Sequence, residues 1–148
     1  FYPEQTISRS EFLVMAMRAA GITNLPEVEN TGFYDDADIA PSMKNYIGAA
    51  ARAGYINGSY VGGNICFLPD KEITVPEAAV IIANIMGAKS DGSVAVFAEN
   101  NDIPAWAEDA VWALSSVGVL DYTEYDYTAS VTRGDAALML AAMMEKLG

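Results

Sequence analysis

Three short segments of this chain carry one polar signature: Ser8-Arg9-Ser10-Glu11, Thr74-Val75-Pro76-Glu77 and Thr132-Arg133-Gly134-Asp135. Each places a hydroxyl first and a carboxylate three residues on. That is the spacing of a helix capping box, in which the hydroxyl accepts from a first-turn N–H and the acid reaches back to the cap's own amide. Pro76 fits as well, since a first-turn residue has no intrahelical acceptor to lose. Capping accounts for the hydroxyls and for Glu11, Glu77 and Asp135, although Asp135 is shorter than the usual Glu or Gln. It does not account for Arg9 and Arg133, cations in a turn where the positive end of the helix dipole disfavours them. Two chemistries are open to them. A guanidinium beside free first-turn N–H groups makes a small anion site for a carboxylate or phosphate; the alternative is a surface salt bridge to one of the many acids nearby. The second segment has Val75 at this position, so its groove is expected to lack the strong anion contact.

The signature recurs because the chain repeats itself with a period near 64 residues. Sliding by 66 places Phe1, Pro3, Ile7, Glu11, Val14 and Gly21 on Phe67, Pro69, Ile73, Glu77, Val80 and Gly87. A slide of 64 places Phe33, Asp38, Ile39, Ala49 and Gly54 on Phe97, Asp102, Ile103, Ala113 and Gly118, and a slide of 58 brings Thr74, Ala78, Ala79 and Met86 onto Thr132, Ala136, Ala137 and Met144. Such a repeat is one supersecondary unit that cannot bury its apolar face alone and packs against its copies. Function is then expected in the grooves between copies. The first copy starts at the equivalent of Phe67, so its front half is missing and an upstream segment is expected.

Each unit reads as two helices. In the front half, Met43, Tyr46, Ile47, Ala50 and Ala53 recur at helical spacing ahead of Gly54, and Trp106, Ala110, Val111, Leu114 and Val117 do so ahead of Gly118. A connection from Tyr55 to Asp70 follows, with turn signals at Asn57-Gly58 and Gly62-Gly63; in the third copy it is shorter and holds Tyr122, Tyr125 and Tyr127. The back-half helices, Phe12 to Ala20, Ala78 to Met86 and Ala136 to Lys146, are apolar on nearly every side, which predicts burial all round.

Composition removes several classes of function. The net charge of −12, from 20 acidic and 8 basic residues, argues against a nucleic-acid partner, whose backbone needs clustered Lys and Arg. An anionic ligand must find a local arginine in a repelling field. With no histidine and one cysteine, neither an internal disulfide nor a Cys/His zinc set can form, and the usual nucleophile and base pairs are absent, so no enzyme activity is expected. No stretch approaches the roughly 20 apolar residues of a membrane helix, and the start lacks the basic and apolar regions of a signal peptide. Cys66, between Ile65 and Phe67, reads as buried.

Other residues keep two readings each. Trp106 either stacks on a sugar in a groove or packs in the core, Trp112 covers a groove or the bundle edge, and the tyrosines at 122 to 127 pack their loop or offer hydroxyls to a glycan. Asp35, Asp36 and Asp38 are acids near a helix start, with a spacing that lacks the Gly and distal Glu of a calcium loop, so no metal or cofactor is expected. Asn57-Gly58-Ser59 is a sequon or a tight turn.

Taken in order along the chain, these elements resemble the S-layer homology (SLH) repeat. Its Phe-x-Asp is similar to Phe33-Tyr34-Asp35 and, loosely, Phe97-Ala98-Glu99; its Trp-Ala to Trp106-Ala107, replaced by Ser42-Met43 in copy two; its Phe-x-Pro to Phe1-Tyr2-Pro3 and Phe67-Leu68-Pro69; its Thr-Arg-Ala-Glu to the three capping segments. The resemblance implies an all-α, pseudo-threefold SLH-type helical bundle, a three-pronged spindle of two-helix units, as a single domain over 1–148 with units 1–24, 31–88 and 95–148. It implies a non-covalent cell-wall anchor on the bacterial cell surface, binding a pyruvylated or otherwise acidic secondary cell wall polysaccharide through inter-repeat grooves. In that family the motif arginine contacts the acidic sugar, which favours a ligand role for Arg9 and Arg133. The expected ligand-binding set is Arg9, Glu11, Asp35, Trp106, Thr132, Arg133 and Asp135. Alternatives are recognition of polyamine-decorated peptidoglycan, or a protein-assembly element that self-associates.

Overall fold

A computed structural model describes residues 2–90 and 102–148. Its α-helices are α1 (Arg9–Ala19), α2 (Lys44–Ala53), α3 (Val75–Met86), α4 (Glu108–Ser116) and α5 (Arg133–Leu147). All three capping boxes are formed: Ser8, Thr74 and Thr132 each accept from the amide three residues on, and Glu11, Glu77 and Asp135 each accept from the cap's backbone N–H. The back-half helices therefore start at the first residue after each hydroxyl. Short 3₁₀ turns, Pro41–Met43 and Ala105–Ala107, lead into α2 and α4.

The all-α expectation fails: the protein is mixed α/β. The connection after α2 holds an antiparallel hairpin of β1 (Ser59–Val61) and β2 (Asn64–Cys66), with Tyr60 opposite Ile65. Gly62 and Gly63 both have positive φ, 57° and 84°, the two-residue turn whose twist matches that of paired strands. The turn signal was visible in the sequence; the flanking Tyr60, Val61 and Ile65, which favour extended backbone, make it a hairpin instead of a loop.

Strand-like pairing also closes the centre of the molecule. The amide of Ile7 donates to the carbonyl of Val131 (3.3 Å), that of Val131 to Ile73 (2.8 Å), and that of Ile73 to Ile7 (3.1 Å). Isolated bridges Thr6 to Thr132, Ser8 to Glu72 and Thr74 to Ser130 flank this cycle. Glu72 ties all three segments together, accepting from the hydroxyls of Thr6 (2.8 Å) and Ser130 (2.9 Å). The side chains of Ile7, Ile73 and Val131 are buried in a hydrophobic cluster that includes Leu13, Ile47, Ile82, Leu114 and Met139, one from each helix. Helix α2 packs on α1, α4 packs on α3, and α1, α3 and α5 touch pairwise.

Burial of the back helices is uneven. Helices α1 and α3 are largely enclosed, but α5 leaves Ala137, Leu138, Ala141 and Met144 exposed, against the expectation of burial all round. Phe1, Phe97, Ala98 and Glu99, used above in aligning the repeats, lie outside the described residues.

Candidate functional site

The helix starts do not present free amides. In α1 the amide of Arg9 donates to the carbonyl of Lys71 (2.9 Å), that of Ser10 to Pro69 (3.2 Å), and that of Glu11 to the Ser8 hydroxyl (3.1 Å). In α5 the amides of Arg133, Gly134 and Asp135 go to the Gln5 carbonyl (2.7 Å), the Pro3 carbonyl (2.8 Å) and the Thr132 hydroxyl (3.1 Å). In α3 Val75 donates to Ala129 (3.1 Å), and Pro76 has no N–H to satisfy. Each unit's loop thus caps the helix of another unit. The first-turn donors needed for the small anion site are consumed inside the protein.

The arginines follow the same cyclic rule. Arg9 is buried, its Nε donating to the Phe67 carbonyl (2.8 Å) and its Nη1 pairing with Glu77 Oε2. Its guanidinium also lies 5.2 Å from the centre of the Phe67 ring, within cation–π range. Arg133 Nη2 pairs with Glu11 Oε2 at 3.3 Å in a far more open setting. The acid of each capping box therefore works twice, closing its own helix and holding the arginine of another unit. At the third junction Val75 stands where the arginine would be, and the acid is the shorter Asp135, whose reach is spent on the Thr132 amide (3.5 Å). Both oddities of the sequence occur at one junction.

The Arg9 junction opens into a cavity of about 480 Å³. Arg9, Thr74 and Glu77 lie at one side, the segment Tyr55 to Ser59 forms a wall, and Lys71 and Trp106 complete the lining. Trp106 sits on the Ala105–Ala107 turn and is 62% exposed, at the edge of the cavity and outside the core. Lys71 is exposed and makes no ion pair among the described residues. The wall is held tightly at Gly58: with φ at +75°, a Cβ there would lie 2.7 Å from Phe33 Cε1 and 2.8 Å from the Cys66 carbonyl oxygen.

Of the expected set, Arg9 and Trp106 thus meet at this cavity. Glu11 and Arg133 meet at their own junction, Thr132 and Asp135 cap α5, and Asp35 lies behind the Arg9 site. Both Asp35 oxygens accept from backbone amides, Phe67 and Leu68 at 2.8 Å each. This fixes the carbonyl to which Arg9 donates and holds Leu68 at a φ of +60°, a conformation uncommon outside glycine. Glu77 and Lys71 were missed as site residues. Glu77 had a signal, its equivalence to Glu11; Lys71 had none.

The remaining candidates have structural roles. Lys44 and the Thr31 amide and hydroxyl hold the Asp36 carboxyl down at about 2. Cys66 is buried, and that burial, together with Asp35 and Asp38, raises its thiol pKa. Tyr127 is buried and donates to the Tyr122 carbonyl (2.7 Å), so it packs its own loop. Among the described residues no group of three or more Asp, Glu, Cys or His is placed to hold a metal ion, and no helix is long and apolar enough to cross a membrane.

No protein-family model matches the chain. It is 27% identical, over 99% of its length, to the surface-layer 125 kDa protein of Lysinibacillus sphaericus. It is 26% identical over its full length to an amylopullulanase of Thermoanaerobacterium thermosulfurigenes, and 37% identical over 57% of its length to the exoglucanase XynX of Acetivibrio thermocellus. The chain spans only 12%, 8% and 8% of these relatives. What they share with it is a segment found in a surface-layer protein and in two polysaccharide-degrading enzymes.

Proposed function

We propose that the chain is a non-covalent cell-wall anchoring module of SLH type, acting as one unit over 1–148 and capturing an acidic wall glycan in the Arg9 groove, without catalysis. The reading is supported by relatives whose common ground is a surface layer and polysaccharide-acting enzymes. It is carried by one observation: the cavity where units meet combines an exposed aromatic, Trp106, with two cations, Lys71 and Arg9, in a chain of net charge −12. An indole face covers a sugar ring and leaves the ring hydroxyls for polar partners. Because Glu77 neutralises much of Arg9, Lys71 supplies the principal attraction for a carboxylate on the glycan, with Arg9 Nη2 adding a hydrogen bond. Ser59 and the backbone of Asn57 and Gly58 orient the ring from the wall. In this scheme Arg133, Glu11 and Asp35 support the junctions that shape the grooves.

The test is co-sedimentation with purified Gram-positive cell walls, before and after acid extraction of the secondary polysaccharide, for the native chain and for Trp106→Ala and Lys71→Ala. Both substituted residues are exposed, so folding should be unaffected. Loss of binding on extraction and in both variants is the expected result. Retention after extraction would overturn acidic-glycan capture in favour of peptidoglycan recognition, and no binding by the native chain would leave an assembly role.

A further inference from the structure

Helix α4 and the loop that follows it enclose a second cavity, of about 440 Å³, within the size range of ligand pockets. Every described residue that lines it belongs to the third unit, from Trp112 on α4 to Tyr122 at the start of a 3₁₀ turn, so it is separate from the groove between units at Arg9. The offset of 64 puts Gly48, Ala51 and Arg52 of unit two where the third unit has Trp112, Ser115 and Ser116. In unit two that helix surface is closed by the chain's own Val28, whose methyls a Cβ on Gly48 would meet at 2.9 Å. The third unit instead offers an indole and two hydroxyls to a cavity.

Two polar groups there have bonding capacity to spare. Asp121 Oδ1 accepts from the Thr123 hydroxyl (2.6 Å) and amide (2.9 Å), which leaves Oδ2 as an acceptor among the described residues. The same two bonds lower the Asp121 pKa, keeping the carboxylate ionised. Ser115 Oγ is buried with no hydrogen-bond partner, a state that is unfavourable until a partner arrives. Because Ser115 also lines the cavity, a turn to another staggered rotamer brings the hydroxyl to an occupant without breaking any bond. Ser116, by contrast, is spent on the Trp112 carbonyl (2.9 Å). Charge at the margin is balanced: Lys146 lies against Gly118, its Nζ 3.8 Å from where a Cβ would stand, and offsets Asp121.

We infer that this cavity binds a neutral pyranose residue of a glycan. The apolar face of the sugar covers the aromatic surface of Trp112 and Tyr122, one ring hydroxyl donates to Asp121 Oδ2, and another pairs with Ser115 Oγ. Asp121 disfavours a carboxylated sugar, and Lys146 a cationic ligand. The site is independent of acidic-glycan capture in the Arg9 groove.

The test follows the indole N–H signals of Trp106 and Trp112 in proton–nitrogen correlation spectra of the full chain, told apart with Trp106→Phe. Methyl glycosides of glucose, galactose, mannose and N-acetylglucosamine are added in the absence of cell walls. At least one should shift the Trp112 signal saturably in the millimolar range, whereas methyl glucuronoside and putrescine should not; the Trp106 signal reports separately on the Arg9 groove. Ser115→Ala should weaken that affinity about fivefold with a melting temperature unchanged or raised, since the hydroxyl removed has no partner. The inference is overturned if no glycoside shifts Trp112 saturably, if Ser115→Ala binds as well as the native chain, or if glucuronoside or putrescine binds more tightly than every neutral sugar. A lowered melting temperature in Ser115→Ala would overturn it as well, because the hydroxyl would then already be bonded within the protein.

Discussion

Arg9 of one repeat unit is held by Glu77 of the next through the carboxylate oxygen that Glu77's own helix cap leaves over. Glu77 Oε1 accepts from the Thr74 amide and hydroxyl, both at 2.9 Å, and Oε2 takes Arg9 Nη1. The side chains are 8% and 17% exposed. One acid therefore couples the start of a helix to the junction between units.

Removing one partner of such a pair leaves the other buried without compensation, which typically costs about 3–5 kcal/mol. Arg9→Ala should destabilise the protein on that scale, while Arg133→Ala, whose pair is 37% and 41% exposed, should cost no more than about 1 kcal/mol. Urea unfolding of the two variants measures the contrast. Equal costs would mean that burial does not distinguish the two junctions.

The central cycle of Ile7, Val131 and Ile73 leaves no member able to open without breaking contacts to both other segments. Their amides should exchange with solvent only on global unfolding, among the slowest in the chain. Native-state hydrogen exchange would refute this if the three amides opened at different free energies, well below that of global unfolding.

Gly58→Ala places on a left-handed residue a methyl that would lie 2.7 Å from Phe33 Cε1 and 2.8 Å from the Cys66 carbonyl oxygen. Strain at such a site destabilises by more than about 1 kcal/mol. Because Gly58 also walls the cavity, wall binding should weaken in the same variant. An unchanged urea midpoint would show that the wall yields.

Asp36, held at about 2 against an ordinary 3.8 by Lys44 and Thr31, binds its proton less readily folded than unfolded. Its contribution to stability is therefore complete above pH 3.8 and disappears as pH falls through about 2. Glu72 has the same sign, because the Thr6 and Ser130 hydroxyls lower its pKa. Acid unfolding of Asp36→Asn should show a shallower loss of stability over that interval than the native chain. Superimposable acid profiles would contradict the assignment.

Local chemistry was legible where residue type alone decides the backbone. The capping hydroxyls and the turn at Gly62-Gly63 sit where the sequence places them. The hairpin was less so, because Tyr60, Val61 and Ile65 become strands only once the turn pairs them, and a loop accommodates the same residues. Trp106 had a helical spacing compatible with the core, yet its position in a 3₁₀ turn before α4 directs it outward. The arginines were the hardest to read. Charge at a helix start is a local observation, but the acceptor that satisfies it lies 68 residues away for Arg9 and 122 for Arg133.

By itself, then, the sequence determined that this chain is built of repeats, where the three back-half helices begin, and which side chains carry the unusual charges, because these depend on neighbours within one turn. The tertiary structure alone decided what those charges do. The closure of units through Ile7, Ile73 and Val131 brings each helix start against another unit's loop, so the amides that local geometry leaves free are filled, Arg9 is turned inward onto Glu77, and Trp106 and Lys71 are left as the exposed groups lining the cavity. The same closure encloses α1 and α3 but leaves one face of α5 bare, since a helix's apolar stripe is buried only where another element lies against it.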